Sequence, residues 1–220
     1  MEYLVHMIIS WLPALLNATG ITISLTILSV SCGLILSLFL ALGKISKNKI
    51  IHSCCSAYIF FFRGTPLLMQ LFFIYYALPL INEAFTIKSR FVAAWIAFSL
   101  NSAAYLAEII RAAIQSIDAG QLEATKTLGM SYGQAMRLII IPQSIRRLIP
   151  PVGNEFIMVI KDTSLVSVIA LVDLMKKTSQ IMSSTATALV FIPSMVIYLI
   201  MTMVFTCIFN KLEKKFSVYE

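Results

Sequence analysis

Glu155, Lys161 and Asp162 stand inside GNEFIMVIKDTSLVSVIALV, residues 153–172, a run otherwise apolar enough for lipid. A charge at the centre of a bilayer costs about 2.5–3.5 kcal/mol even on insertion-based scales. Such residues therefore face a bundle interior or a wet cavity. Glu155 and Asp162 are seven positions apart, close to one face of an unbroken helix, while Lys161 lies seven from Asn154. Asn101, Ser102 and Tyr105 form a second polar stripe at helical spacing, and Glu108 and Arg111 stand three apart, as an ion pair would. Asp162, Thr163 and Ser164 are all helix-capping types, which predicts a break there. Broken helices are tolerated at membrane depth where they line a cavity. Two roles fit these groups: lining a polar cavity, or pairing with one another to hold helices together.

Covalent chemistry has no foothold. HExxH and GxSxG are absent, and His6 and His52 are isolated. Cys32, Cys54, Cys55 and Cys207 lack metal-ligand spacing and are expected to be small buried hydrophobes. No metal, no cofactor and no enzymatic activity is expected. No GxxxxGKS/T occurs; Gly43-Lys44 lacks the upstream glycine. A membrane-embedded enzyme is thereby disfavoured, and ATP, if used, must be hydrolysed by another polypeptide.

The elements that position these groups are membrane helices. Of 220 residues, 59% are hydrophobic and 12% charged, against about 25% charged in soluble domains. Mean hydropathy is +0.89. The class is an integral, all-α membrane protein, a single domain over 1–220, and the net charge of +7 reflects topology rather than nucleic acid. Five crossings are expected, at about 20–42, 59–80, 91–110, 150–172 and 188–209. The first would span roughly 34 Å at about 1.5 Å per residue, enough for a hydrocarbon core of about 30 Å. Thr65 is the expected N-cap of the second crossing with Pro66 at its first helical position, and the fourth is expected to start after Pro150-Pro151. The N-terminal MEYLVHMIISWLPALL lacks a signal-peptide n-region and is amphipathic enough to lie on the membrane surface.

Placing the C-terminus in the cytoplasm puts 12 of 17 basic residues inside or at the inner face, so the N-terminus is expected outside. Lys176-Lys177 is the pair that runs against this. The polar loop 111–147 is then cytoplasmic. Asp118 with Gln121, and Ser131 with Gln134, read as capping boxes, Gly129 as a helix C-terminus, and Pro142 as an interruption. The loop should hold two short helices joined by Gly129-Met130-Ser131.

Within this loop, Glu123-Ala124-Thr125, three residues, Gly129, nine residues, then Ile139-x-Ile141-Pro142 resembles the EAA motif of the membrane subunits of ABC-type importers. The motif reads EAAxxxG, nine residues, IxLP; Thr125 and Ile141 are departures. FFRGTPLLMQLFFIYY, AYLAEIIRAAIQSIDAGQLEA and PQSIRRLIPPVGNEFIMVIKDTSL are similar to the polar amino acid permeases of that family, and the likeness covers about residues 12–215. The resemblance implies a type I importer permease fold with a cytoplasmic coupling helix between the third and fourth crossings. It implies a bacterial cytoplasmic membrane location, a second permease subunit (homo- or heterodimer), an ATP-binding cassette ATPase dimer, an extracytoplasmic solute-binding protein and an amino acid substrate, with lipid as surroundings. Gly120, Glu123, Ala124 and Gly129 become the expected ATPase-coupling residues, since small residues allow close docking. Asn101, Ser102, Tyr105, Glu155, Asp162 and Ser164 become the candidate solute contacts. The alternative, a secondary amino acid transporter or channel without an ATPase, would give no reason for an EAA loop. It often shows two similar halves, which are not visible here.

Overall fold

The structure, a computed structural model, describes residues 2–216. Its backbone is helical nearly throughout. Helix α1 runs Glu2–Ile45, α2 Lys49–Gly64, α3 Leu67–Ile81, α4 Arg90–Gln115, α5 Ala119–Thr127, α6 Tyr132–Ala135, α7 Ile141–Asp162, α8 Leu174–Thr185 and α9 Phe191–Phe216. By length and composition, His6–Ile45, Arg90–Gln115 and Ala188–Phe216 each suffice to cross a membrane, and α2 with α3 form a fourth candidate bent by 103°. Helix α7 carries too many charges and polar groups to be counted with them by composition.

Helices α1 and α4 pack closely because both present small residues. Thr22, Thr26, Ser29 and Ser37 form a buried stripe on α1 at helical spacing. Ala93, Ala94, Ala97, Ala103, Ala104 and Ala107 are buried on α4. Close approach of this kind is the main source of helix association in lipid, where no hydrophobic drive separates helix from solvent. Gly33 sits at the tightest point. A Cβ there would lie 3.2 Å from Ser99 O, Ser102 Cβ and Ala103 N, two of them backbone atoms that cannot rotate away. Gly33→Val should therefore force the helices apart and cost about 1–3 kcal/mol, the usual penalty of overpacking. A thermal unfolding midpoint in detergent equal to wild type would contradict this.

Several expected boundaries shift for physical reasons. The amphipathic N-terminus is not a separate surface helix; it continues into α1, with Trp11 and Leu15 buried in the core. The second crossing, expected over 59–80 with a helix start at Thr65-Pro66, is cut there into two helices. Proline disfavours helical backbone at the residue before it, and Thr65 is extended at φ −115°, ψ 144°. Pro66, not Thr65, takes the N-cap position of α3. Helix α7 begins at Ile141 rather than after Pro150-Pro151, and both prolines lie inside it. Pro142 does not interrupt the chain. It falls in the first turn of α7, where a missing N–H costs least, behind a π-helical turn at Met136–Ile140. The break expected at Asp162 is present: α7 ends there and a 3-10 helix runs Thr163–Ile169.

Helix α8 was not anticipated. Asp173, fully buried, caps it by accepting from Met175 N and Lys176 N at 3.1 and 2.9 Å. Leu174 N donates to Thr22 Oγ1 at 3.3 Å, tying α8 to α1. The cysteines are less buried than expected: Cys54 and Cys207 are exposed, Cys32 and Cys55 intermediate. In a single membrane chain the lipid-facing surface counts as exposed, and small apolar residues need no protein cover there.

Candidate functional site

The site is built around the break between α2 and α3. A broken helix frees carbonyls that must find donors away from water. Gln70, buried on α3, supplies them: the two N–H groups of its Nε2 are shared among Phe62 O at 2.9 Å, Thr65 O at 3.0 Å and Thr65 Oγ1 at 2.8 Å. From α4, Asn101 Nδ2 donates to Phe62 O at 3.1 Å and to Gln70 Oε1 at 3.0 Å. Asn101 thus latches the break to α4. Asn101→Leu should leave Gln70 Oε1 without a donor, with Phe62 O held by Gln70 alone, and destabilise the fold by about 1–3 kcal/mol. A midpoint of unfolding unchanged from wild type would refute this latch.

Beside the latch opens a cavity of about 300 Å³, lined by Arg63, Thr65, Asn101, Tyr105, Glu155 and Asp162 with Gly64, Pro66, Leu67 and Met158. That is the lower end of the range of about 300–1,000 Å³ for small-ligand sites. Four of the six expected contacts, Asn101, Tyr105, Glu155 and Asp162, meet here. Ser102 does not line it: it is buried where α4 meets Gly33 of α1. Ser164 does not line it either; it lies in the 3-10 helix beyond Asp162.

Glu155 is 7% exposed. Among the described residues, neither it nor Asp162 has a basic group at ion-pair distance, Lys161 included. The ion pairs converge instead on Glu108, which meets Lys44 of α1, Arg111 Nη2 at 2.7 Å and, more loosely, Arg63 Nη1 at 3.9 Å. The expected Glu108–Arg111 pair is therefore present, and Lys44 is an unforeseen member 64 positions away in sequence. Arg63, expected to be an inner-face anchor, projects over the Tyr105 ring at 5.3 Å and lines the cavity. Gln70 and Arg63 were missed as site residues. The signal that could have found them is the Gly-Thr-Pro break itself, which obliges neighbouring polar side chains to serve its backbone.

Helix α5 is a separate surface. Asp118 Oδ1 caps it by accepting from Gly120 N at 2.7 Å. Gln121 does not complete the box; its Oε1 accepts from Gln143 Nε2 at 3.4 Å. The second box is complete, with Gln134 N donating to Ser131 Oγ at 3.3 Å and Ser131 N to Gln134 Oε1 at 2.8 Å. Gly129, at φ 72°, makes the left-handed turn between α5 and α6. Gly120, Glu123 and Ala124 are exposed, and Leu128 and Tyr132 are 77% and 63% exposed beside them. Thr125, the departure from the motif's second alanine, is the inward-facing residue of α5, and its hydroxyl donates to Leu122 O at 2.7 Å.

The chain is similar to known proteins over most of its length. Residues 33–218 match the family described as the binding-protein-dependent transport system inner membrane component. The L-cystine transport system permease protein TcyB of Bacillus subtilis (strain 168) is 40% identical over 212 residues, covering 96% of this chain and 89% of that protein. The nopaline transport system permease protein NocM of Agrobacterium fabrum is 39% identical over 208 residues, with 91% and 86% covered. The crystal structure of an amino acid ABC transporter with histidines superposes with a TM-score of 0.88 at 40% identity, covering 94% of this chain and 96% of that one. The MetNI methionine ABC transporter, at 17% identity, shares the fold with a TM-score of 0.74. This chain belongs to the family of binding-protein-dependent transport system inner membrane components, and its fold is that of the type I ABC importer permeases.

Proposed function

We propose that this chain is the permease subunit of an ATP-driven importer that carries a polar amino acid across the cytoplasmic membrane. It works with a second permease subunit, an ATP-binding cassette ATPase dimer and an extracytoplasmic solute-binding protein. The observation that carries this reading is the pairing of two separate surfaces. One is the stiff, capped, exposed helix α5, with Glu123 uncommitted and Leu128 and Tyr132 uncovered. The other is a cavity whose two carboxyl groups lack ion-pair partners. A lever needs a rigid docking element, and a solute path needs unspent polar groups.

Gly120, Glu123, Ala124 and Gly129 form the ATPase-facing element; Asn101, Tyr105, Glu155 and Asp162 form the solute-facing one. Relatives named for L-cystine, nopaline and arginine transport handle solutes with an amine nitrogen one carbon from a carboxylate, which suits a cavity bearing both signs of charge. The distribution of basic residues supports an N-terminus outside and a C-terminus in the cytoplasm.

The test is reconstitution of the complete importer in liposomes, with labelled amino acids outside and ATP or a non-hydrolysable analogue inside. Uptake should require hydrolysis. Equal uptake with the analogue would move the chain to the secondary transporters or channels.

A further inference from the structure

A second concavity, of about 370 Å³, lies between α1, α4, α7 and α9, and every residue lining it is apolar. Leu34 and Leu38 of α1 and Leu212 and Phe216 of α9 are exposed along it, while Ile110 of α4 is buried and Val152 of α7 half-buried at its base. It is distinct from the polar cavity, to which neither α1 nor α9 contributes. On α4, Ile110 stands nine positions from Asn101, about half a turn away round the helix. The groove is therefore turned away from the solute-facing side of α4. Its walls run on into exposed apolar residues, Ile35, Phe39 and Leu42 on α1 and Val204 and Ile208 on α9, so it opens onto the lipid-facing surface.

One end of this groove is strongly basic. Residues 145–152 and 209–216 carry Arg146, Arg147, Lys211, Lys214 and Lys215 against Glu213 alone. Arg146 and Lys214 already hold contacts within the protein, and Arg147 donates to the neutral carbonyl of Ser116, which leaves its charge unbalanced. Lys211 and Lys215 stand one turn apart on α9, exposed and without an ion pair among the described residues. Their long stems can lie along the apolar wall while the ammonium groups reach the membrane–water boundary. Such basic rims between membrane helices attract anionic headgroups. In lipid the hydrophobic effect does not choose between one acyl chain and the next. Packing does, because an unfilled groove forfeits dispersion contacts along its whole lining.

We propose that this groove is a binding site for an anionic phospholipid, with an acyl chain lying between α1 and α9 and the phosphate held by Lys211 and Lys215. The proposal depends on the chain lying in a membrane, and stands apart from the identity of the transported solute.

The test uses the complete permease–ATPase complex in nanodiscs of phosphatidylcholine at about 0.15 M salt. Each disc carries a trace of phosphatidylglycerol or of phosphatidylcholine with a photoactivatable diazirine in one acyl chain, and cross-links are mapped by mass spectrometry. In wild type the phosphatidylglycerol probe should label residues 145–152 and 209–216 about fivefold or more above the phosphatidylcholine probe, the worth of one basic residue beside a headgroup. At Leu199 and Met203, exposed on α9 outside the groove, the two probes should label within about twofold of each other. Lys211→Gln with Lys215→Gln should bring the groove ratio to within about twofold. Leu38→Trp, which fills the groove from an exposed wall, should lower groove labelling by both probes about threefold or more and leave Leu199 and Met203 unchanged. Equal labelling of the groove by the two probes in wild type overturns the proposal. An undiminished ratio in the lysine variant, or undiminished groove labelling in Leu38→Trp, overturns it too. If the double lysine variant does not assemble, Lys215→Gln alone decides: a ratio lowered about twofold or more supports the site, and an unchanged one overturns it.

Discussion

Uptake should collapse, by about tenfold or more, when Glu123 is reversed to lysine, while the permease itself folds as before. Glu123 is exposed on α5 and has no ion pair among the described residues, so the isolated chain loses nothing when its sign changes. Helix α5 keeps its N-cap at Asp118 and its C-terminal turn at Gly129, neither of which involves the Glu123 side chain. The cost falls on docking. A helix with one acidic residue among small and apolar neighbours offers a partner few anchors, and a charge of wrong sign in a desolvated groove opposes association. Leu128 and Tyr132 would still meet the partner, so the complex should be weakened rather than abolished in every condition; high salt should partly restore it. Three readings settle the matter together: labelled amino acid uptake in proteoliposomes, co-purification with the ATPase, and the unfolding midpoint of the permease alone. Normal uptake with normal co-purification would sink the coupling role of Glu123.

Where local chemistry decides the backbone, the sequence was sufficient. Ser131 with Gln134 capped α6 as expected, Gly129 turned the chain, and Asp162-Thr163-Ser164 ended α7, because these depend on residues within a few positions of one another. Proline was harder to read. At Pro66 it cut a helix that hydropathy showed as one span, whereas Pro142, Pro150 and Pro151 were all carried inside helical backbone. The difference lies in neighbours: Thr65 and Pro66 give up helical geometry and Gln70 serves the freed carbonyls, while the π turn before Pro142 makes room for its ring. Helix α8 hid from a hydropathy scan because its buried residues are spread among polar ones, and its anchor is a contact between positions 22 and 174.

In the cavity, the carboxyl groups were legible because a buried charge is rare in so apolar a chain. Arg63 was not, since a basic residue at the end of a hydrophobic run reads equally well as a snorkelling anchor. The bend between α2 and α3 brings it into one cavity lining with Glu155 and Asp162. Asn101 stands out in the sequence for its polarity, yet its hydrogen bonds go to the helix break, which makes its first duty structural.

Glu155→Gln should separate function from stability in opposite directions. A carboxyl group 7% exposed and without an ion pair is costly to keep, since burial removes its hydration and no basic side chain stands at ion-pair distance. Glutamine has the same shape and no charge. If Glu155 served only to hold the bundle, its replacement would lower the unfolding midpoint and loosen assembly. If it is retained to meet a solute's ammonium, replacement should leave the midpoint equal or raised and should cut amino acid uptake by about 10- to 100-fold, the worth of one charge-assisted hydrogen bond in a dry site. Asp162→Asn should act in the same direction and more weakly, about three- to tenfold, because Asp162 is half-buried at the end of α7 and more of its interaction is screened. The double variant should lose little beyond Glu155→Gln alone if both groups meet one ammonium, and should lose the product of the two effects if they act apart. The measurements are uptake kinetics of the reconstituted importer and thermal unfolding of each variant in detergent. A lowered midpoint with unchanged uptake would return both carboxyl groups to a structural role.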